Sequence, residues 1–244
     1  MIVLDPGHEP SKGGAVSSCG VEEYKYNDEM VEALSRSLRD YRIILTREKD
    51  REVDVNQPHL KSHLNPEAQQ QWEKNKTLVS RPAIANQARA RFFISIHHDS
   101  VPESELIFDP ALCQGKGGRR ISDSFKNAHT IGFDIFVNDR APSNISASSL
   151  KLAELIGSRF IKAGRTASNY HLSPFEPCTS CRVVDAASGI YYKDLSVLRN
   201  IDTPAILIEI GNILDPEDEK RVRNNTFRSQ VSELISDSLR EYFK

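Results

Sequence analysis

The sequence predicts an α/β fold: a single layered domain with a mainly parallel, twisted sheet flanked by helices and carrying two surface insertions. Three observations lead there. Short apolar runs alternate with segments of helical period along the chain. The runs Phe92–His97 and Ala205–Ile210 are almost continuously apolar, as in strands covered on both faces. The length of 244 residues, 39% of them hydrophobic, suits one large domain, 1–244, with a substantial core.

Ile2-Val3-Leu4 reads as a buried first strand, stopped by Pro6 and Gly7, with His8 in the loop beyond. A helix is expected from about Glu23 to Arg39, with Met30, Val31, Leu34 and Leu38 inward. Arg42–Arg47 is the second strand. Residues 48–76 are rich in Glu, Lys, Gln, Asn and His, too polar for core, so they read as a surface insertion with a short helix near 66–74. Pro82 to Arg91 is helical, and Phe92–His97 is the third strand. Residues 101–130, with the glycine-rich Gly115–Arg120, form the second insertion. Gly132–Val137 is a strand, Ser148–Ala163 a helix, 164–190 loop, and Leu195–Leu198 a short strand. Ala205–Ile210 is the last central strand. Acids 217–219 open a helix, and a final helix turns Phe227, Val231, Leu234, Ile235 and Leu239 inward.

The formal net charge of -2 supports no nucleic-acid-binding face. No apolar run approaches the ~20 residues of a bilayer span. Met1 leads straight into a core strand, so the chain either follows a removed leader or starts here. Cys178-Thr-Ser-Cys181 has redox or half-zinc spacing, but no second such pair exists. A local disulfide or two loop thiols is the plainer reading, and the four cysteines are compatible with two disulfides.

The chemistry gathers at strand ends, where α/β sheets present ligands. His8, His97 and one of Glu22 or Glu23 supply the three donors of a catalytic zinc site with an open fourth position. Each also has a structural reading: a strand-end histidine can be a satisfied polar group, and an acid at a helix start complements the dipole. Strand alternation lets only one of His97 and His98 face the metal. His59, His63, His129 and His171 lie in polar loops and receive no metal role. Glu209 is the sharpest signal. An acid inside Ala205–Ile210 costs several kcal/mol unless it is matched, and burial would raise its pKa into the range of a proton carrier.

These residues carry a resemblance. Val3–His8, Glu23-Tyr24-Lys25-Tyr26-Asn27, Arg81–Asn86 followed by Phe93–His97, and Pro204–Gly211 followed by Asp215–Glu219 resemble, in order, four motifs of the zinc-dependent N-acetylmuramoyl-L-alanine amidases of the Amidase_3 type. The resemblance implies Zn2+ on His8, Glu23 and His97, and proton transfer by Glu209; it also selects Glu23 over Glu22. Asp5 would orient His8 or its loop. The sequence departs from the family at Glu9–Gly14, which replace a glycine-rich stretch, and at Asn212 and Asp215.

The implied activity is hydrolysis of the amide between N-acetylmuramic acid and L-alanine in peptidoglycan, by a monomer in the periplasm or outside the cell. An activator protein that displaces an inserted element is a partner class the resemblance adds. The rival readings are a zinc peptidase acting within the stem peptide and a non-catalytic wall-binding module. A phage lysin is a further origin for the same chemistry.

Overall fold

The structure, a computed structural model, describes residues 1–101, 106–109, 125–127, 131–168 and 181–244. The sheet strands are β1 (Ile2–Pro6), β2 (Ile43–Leu45), β3 (Phe92–Asp99), β6 (Asp134–Val137), β7 (Cys181–Asp185), β8 (Ile190–Lys193) and β9 (Ala205–Asn212). They form one seven-stranded sheet in the order β2-β1-β3-β9-β6-β8-β7. β2, β1, β3 and β9 are mutually parallel; β6 runs antiparallel to β9, and β7 antiparallel to β8. The expected mainly parallel sheet is therefore present, with β6 and β8 reversed. A separate antiparallel pair, β4 (Leu106–Phe108) and β5 (Phe125–Asn127), lies in the second insertion. Gly115–Arg120 fall outside the described residues.

Helices cover both faces. α1 (Glu23–Ser37), α4 (Ser143–Lys162) and α7 (Asn225–Tyr242) cover one, where Met30, Leu34, Leu152, Ile156, Ile235 and Leu239 meet Ile2, Leu4, Ile94, Ile96, Ile206 and Ile208. Each of these aliphatic side chains contributes roughly 1.5–3 kcal/mol by leaving water. On the other face, Val3, Phe93, Leu207, Phe136 and Tyr191 pack with Ala85 of α3 (Lys76–Gln87) and with Val197 and Leu198 of α5 (Ser196–Arg199). By strand alternation His97 shares that second face with Phe93, and Glu209 shares it with Leu207.

Four expectations need correction. The third helix begins at Lys76, six residues before Pro82, which sits inside it. Leu195–Leu198 is not a strand: Ser196–Arg199 is a short helix. The stretch read as loop, 164–190, contains β7 and the start of β8. The first insertion does contain the short helix α2 (Pro66–Gln71), but it is not devoid of core. Val53, Leu60, Leu64, Ala68 and Trp72 bury themselves against Val79, Ala83 and Ile84 of α3. Few apolar residues suffice because α3 offers them a ready-made apolar stripe. A short helix, α6 (Pro216–Val222), follows β9, capped by Asp215, whose carboxylate accepts from the Glu217 and Asp218 amides.

Candidate active site

At the end of β1 the chain turns at Gly7. A Cβ there would fall 2.2 Å from His97 Nε2, so only glycine lets the first loop pass over the imidazole. His8 follows with φ at 58°, a left-handed conformation that non-glycine residues adopt at a cost. Two guanidinium groups hold it there. The His8 carbonyl accepts from Arg47 Nε at 2.6 Å and from Arg81 Nη2 at 2.5 Å, and both arginines also donate to the Pro6 carbonyl.

Arg81 is in turn paired with Asp5 at 2.5 Å, and Arg47 with Asp28 at 2.5 Å. Asp5 is fully buried and also accepts from Thr46 Oγ1 at 2.5 Å and Ser95 Oγ at 2.6 Å. Burial opposes its charge, but Arg81 and the two hydroxyls outweigh that and leave its pKa below the ordinary value. Asp5 thus acts on the His8 loop through Arg81.

Glu23 opens α1 and meets both histidines. Its Oε2 lies 3.0 Å from His8 Nε2 and its Oε1 3.1 Å from His97 Nδ1. Oε1 also accepts from the His98 amide at 3.2 Å and from Asn27 Nδ2 at 3.2 Å. Burial would raise the pKa of this carboxyl; the hydrogen bonds from His8 and His97 and their charges overcome it and hold the group well below its usual range. Gly14, at φ 76°, lets the loop cross Glu23; a Cβ would lie 2.5 Å from Oε2. Glu22 instead stands partly exposed, 4.0 Å from Lys25.

One donor atom from each of His8, Glu23 and His97 falls within 4.8 Å of the others. Among the described residues, this is the group that could hold a metal ion. Two imidazoles and an ionised carboxylate suit zinc, with a coordination position left over. Gly7→Ala should expel the His97 ring from this cluster. The expected result is loss of metal affinity by at least tenfold, read by competition with a chromophoric chelator, with the fold retained by circular dichroism.

His98 takes the opposite face, as alternation requires. Its Nδ1 lies 2.7 Å from Asn27 Oδ1, and burial pushes its pKa down to about 3, so the ring is neutral and donates. Asn27, held this way, turns its amide nitrogen to the Gly7 carbonyl at 3.0 Å as well as to Glu23. His59 and His63 belong to the first insertion's 3-10 turn; His129 and His171 lie outside the described residues.

Glu209 sits on β9 beside His97 of β3 on one side and Asp134 of β6 on the other. The residue keeps some exposure, but Oε2 is closed off from water and accepts no hydrogen bond. Burial, and then Asp99, Glu23 and Asp134, raise its pKa well above the ordinary value, with Lys193 opposing them. Burial likewise pushes Asp99 up to about 7, and burial with Asp99 raises Asp134. Sequence reasoning assigned no role to Asp99 or Asp134. The signal for Asp134 was the same as for Glu209: an acid inside the apolar run Phe133–Val137.

The two halves of the site are tied behind the metal group. Ser17 Oγ and Tyr26 Oη donate to Glu219 of α6 at 2.8 and 2.7 Å, and the Ser18 amide donates to the Ile213 carbonyl at 2.9 Å. Cys19, in the same loop, and Cys181 are both disulfide-bonded; Cys113 and Cys178 lie outside the described residues. A cleft of about 310 Å³ opens onto Gly7, His8 and His97, with Lys12, Leu78 and Ser196 also lining it. A larger cavity of about 790 Å³, between the end of α4 and α7, contains none of the metal-competent trio.

Comparison with known proteins bears on the family and the fold. The family model described as N-acetylmuramoyl-L-alanine amidase matches residues 2–241. A Haemophilus influenzae protein named as a probable N-acetylmuramoyl-L-alanine amidase is 24% identical over 98% of this chain, which spans 51% of that relative. Among solved structures, the apo form of an N-acetylmuramyl-L-alanine amidase from Mycobacterium abscessus superposes with a TM-score of 0.67 at 18% identity, covering 100% of this chain and 98% of that one. An amidase of Clostridioides difficile, solved in complex with a lipoprotein, gives 0.64 at 17% identity, covering 99% and 97%. At these identities the structural matches carry the fold.

Proposed function

Because the chain belongs to the N-acetylmuramoyl-L-alanine amidase family, we propose that it is a zinc-dependent hydrolase of the amide joining N-acetylmuramic acid to the L-alanine of the peptidoglycan stem peptide. The observation that carries this reading is the convergence of His8, Glu23 and His97 within 4.8 Å, with Glu209 on the strand beside His97 and a cleft opening onto His8 and His97. His8, Glu23 and His97 are the residues that would hold zinc. When bound, zinc polarises the scissile carbonyl and brings the pKa of water toward neutrality.

The chain's own groups do the rest. Glu209 takes the proton of the attacking water and returns it to the leaving amine, a task for which a raised carboxyl pKa is suited. Burial, and then Asp99, Glu23 and Asp134, keep that pKa high. Asp5, through Arg81, fixes the His8 backbone, so the metal group is set before substrate arrives.

The substrate puts the working enzyme in the periplasm or outside the cell. No helix among the described residues is long and apolar enough to cross a membrane. A regulatory partner fits this reading, since a similar amidase was solved with a lipoprotein bound.

Digesting purified sacculi with the zinc-loaded protein tests the reading by mass spectrometry. Release of intact, sugar-free stem peptides is expected, with activity abolished by a chelator and restored by zinc. Shortened stems would instead make the protein a peptidase. Wall binding without any cleavage, at near-zero zinc content, would make it a binding module.

A further inference from the structure

The turn after His8 is where this sequence leaves its family's glycine-rich pattern, and the structure shows what stands there. Residues Glu9 and Lys12 close a tight turn, with the Lys12 amide donating to the Glu9 carbonyl at 2.9 Å. The turn is clamped from the first insertion. Glu9, only 2% exposed, accepts from the Val53 amide at 3.3 Å, and Glu52 accepts from both the amide and the hydroxyl of Ser11 at 2.8 and 2.9 Å. Lys12 is thereby held on a fixed frame, and it lines the same cleft as His8 and His97.

Charge accounting in that cleft singles Lys12 out. Arg81, the other cation lining it, is consumed by Asp5 and by the carbonyls of Pro6 and His8. The carboxylate of Glu9 is turned inward to Val53. Among the described residues lining the cleft, Lys12 is the cation whose side chain makes no hydrogen bond or ion pair. An uncommitted ammonium beside a reaction centre attracts an anion carried by the substrate.

Resting on the amidase reading above, we propose that Lys12 is a specificity-determining residue that binds the carboxylate of the stem-peptide residue following L-alanine. In peptidoglycan that residue is a glutamate linked through its γ-carboxyl, and its α-carboxyl is either free or amidated. Five bonds separate that α-carboxyl carbon from the nitrogen of the scissile amide, a reach of less than two extended residues, or roughly 7 Å at most. Lys12 lines the cleft onto which His8 and His97 also open. Lys12 makes the enzyme selective for stems with the free acid.

The test compares two muramoyl-peptide substrates that differ only in that carboxylate or carboxamide, using the zinc-loaded enzyme. The wild type is expected to favour the acid about tenfold or more in kcat/KM, a typical worth for a charged hydrogen bond, with the difference in KM. Lys12→Gln should erase the preference by raising KM for the acid, and Lys12→Arg should retain it. Added salt should shrink the preference in the wild type and leave Lys12→Gln insensitive. A preference that survives in Lys12→Gln, or none in the wild type, overturns the assignment while leaving the amidase reading intact. Failure of the wild type to cleave either substrate or whole sacculi overturns the amidase reading, and this assignment with it.

Discussion

Replacing Glu209 by glutamine is expected to lower amidase turnover by about 10²–10⁴-fold, the usual worth of a positioned proton-transfer group, while the protein still binds zinc. The same substitution should stabilise the metal-free fold. The sign follows from the raised pKa. A carboxyl whose folded pKa exceeds its unfolded value contributes stability that is complete below the unfolded value and lost as pH rises through the folded one. At neutral pH the closely spaced acids Glu209, Asp99 and Asp134 therefore load the native state, and the amide removes one of them.

Urea unfolding of the metal-free proteins should show Glu209→Gln ahead of the wild type by on the order of 1 kcal/mol at pH 7, and by less at pH 4. Full turnover with zinc bound would remove Glu209 from the chemistry. Equal stability at both pH values would mean that its charge is better compensated than its buried oxygen indicates.

The second large effect is expected at Arg81, which lies outside the metal group. Arg81→Met should cost about 3–5 kcal/mol, because it leaves the fully buried Asp5 as an uncompensated charge. The double variant Asp5→Asn with Arg81→Met should recover part of that loss, since the orphaned charge is then gone. Metal affinity should not recover with it, because the His8 carbonyl still lacks the Nη2 donor that fixes its left-handed backbone. Equilibrium unfolding and zinc titration of the wild type and these two variants separate the two consequences. Wild-type zinc affinity in the double variant would show that Arg47 alone is enough to hold the loop.

The sequence made the strand ends legible. Asp5-Pro6-Gly7-His8 and Ser95–Asp99 read correctly because Pro and Gly punctuate the first and an apolar run precedes the second. Glu209 stood out by its isolation among aliphatic neighbours. Period-two alternation allowed only one of His97 and His98 to face the trio, and the family resemblance pointed to His97. Glu22 and Glu23 could not be told apart locally, because the choice depends on how residues 13–22 approach the helix, which is set by contacts with Ile213 and Glu219 some 200 residues away.

Other misses have the same character. Pro82 looked like a helix start, as proline often is. Burial of Val79, Ala83 and Ile84 against Leu60 and Trp72 extends the helix back to Lys76 despite the proline. Asp134 carried the same isolated-acid signal as Glu209, but its neighbour is set only when β6 pairs with β9 in reverse. The short strands β7 and β8 have mixed burial and little apolar period to reveal them.

The separate small core of the first insertion has a mechanical consequence. Val53, Leu60 and Trp72 are packed apart from the two cores that fix His97 and Glu209. One wall of this small core is α3, the helix that also carries Arg81. Glu52 and Val53 also grip the turn that displays Lys12, so a shift in the insertion is transmitted to the mouth of the cleft. The insertion is thus both a packing partner of α3 and a brace for one rim of the cleft.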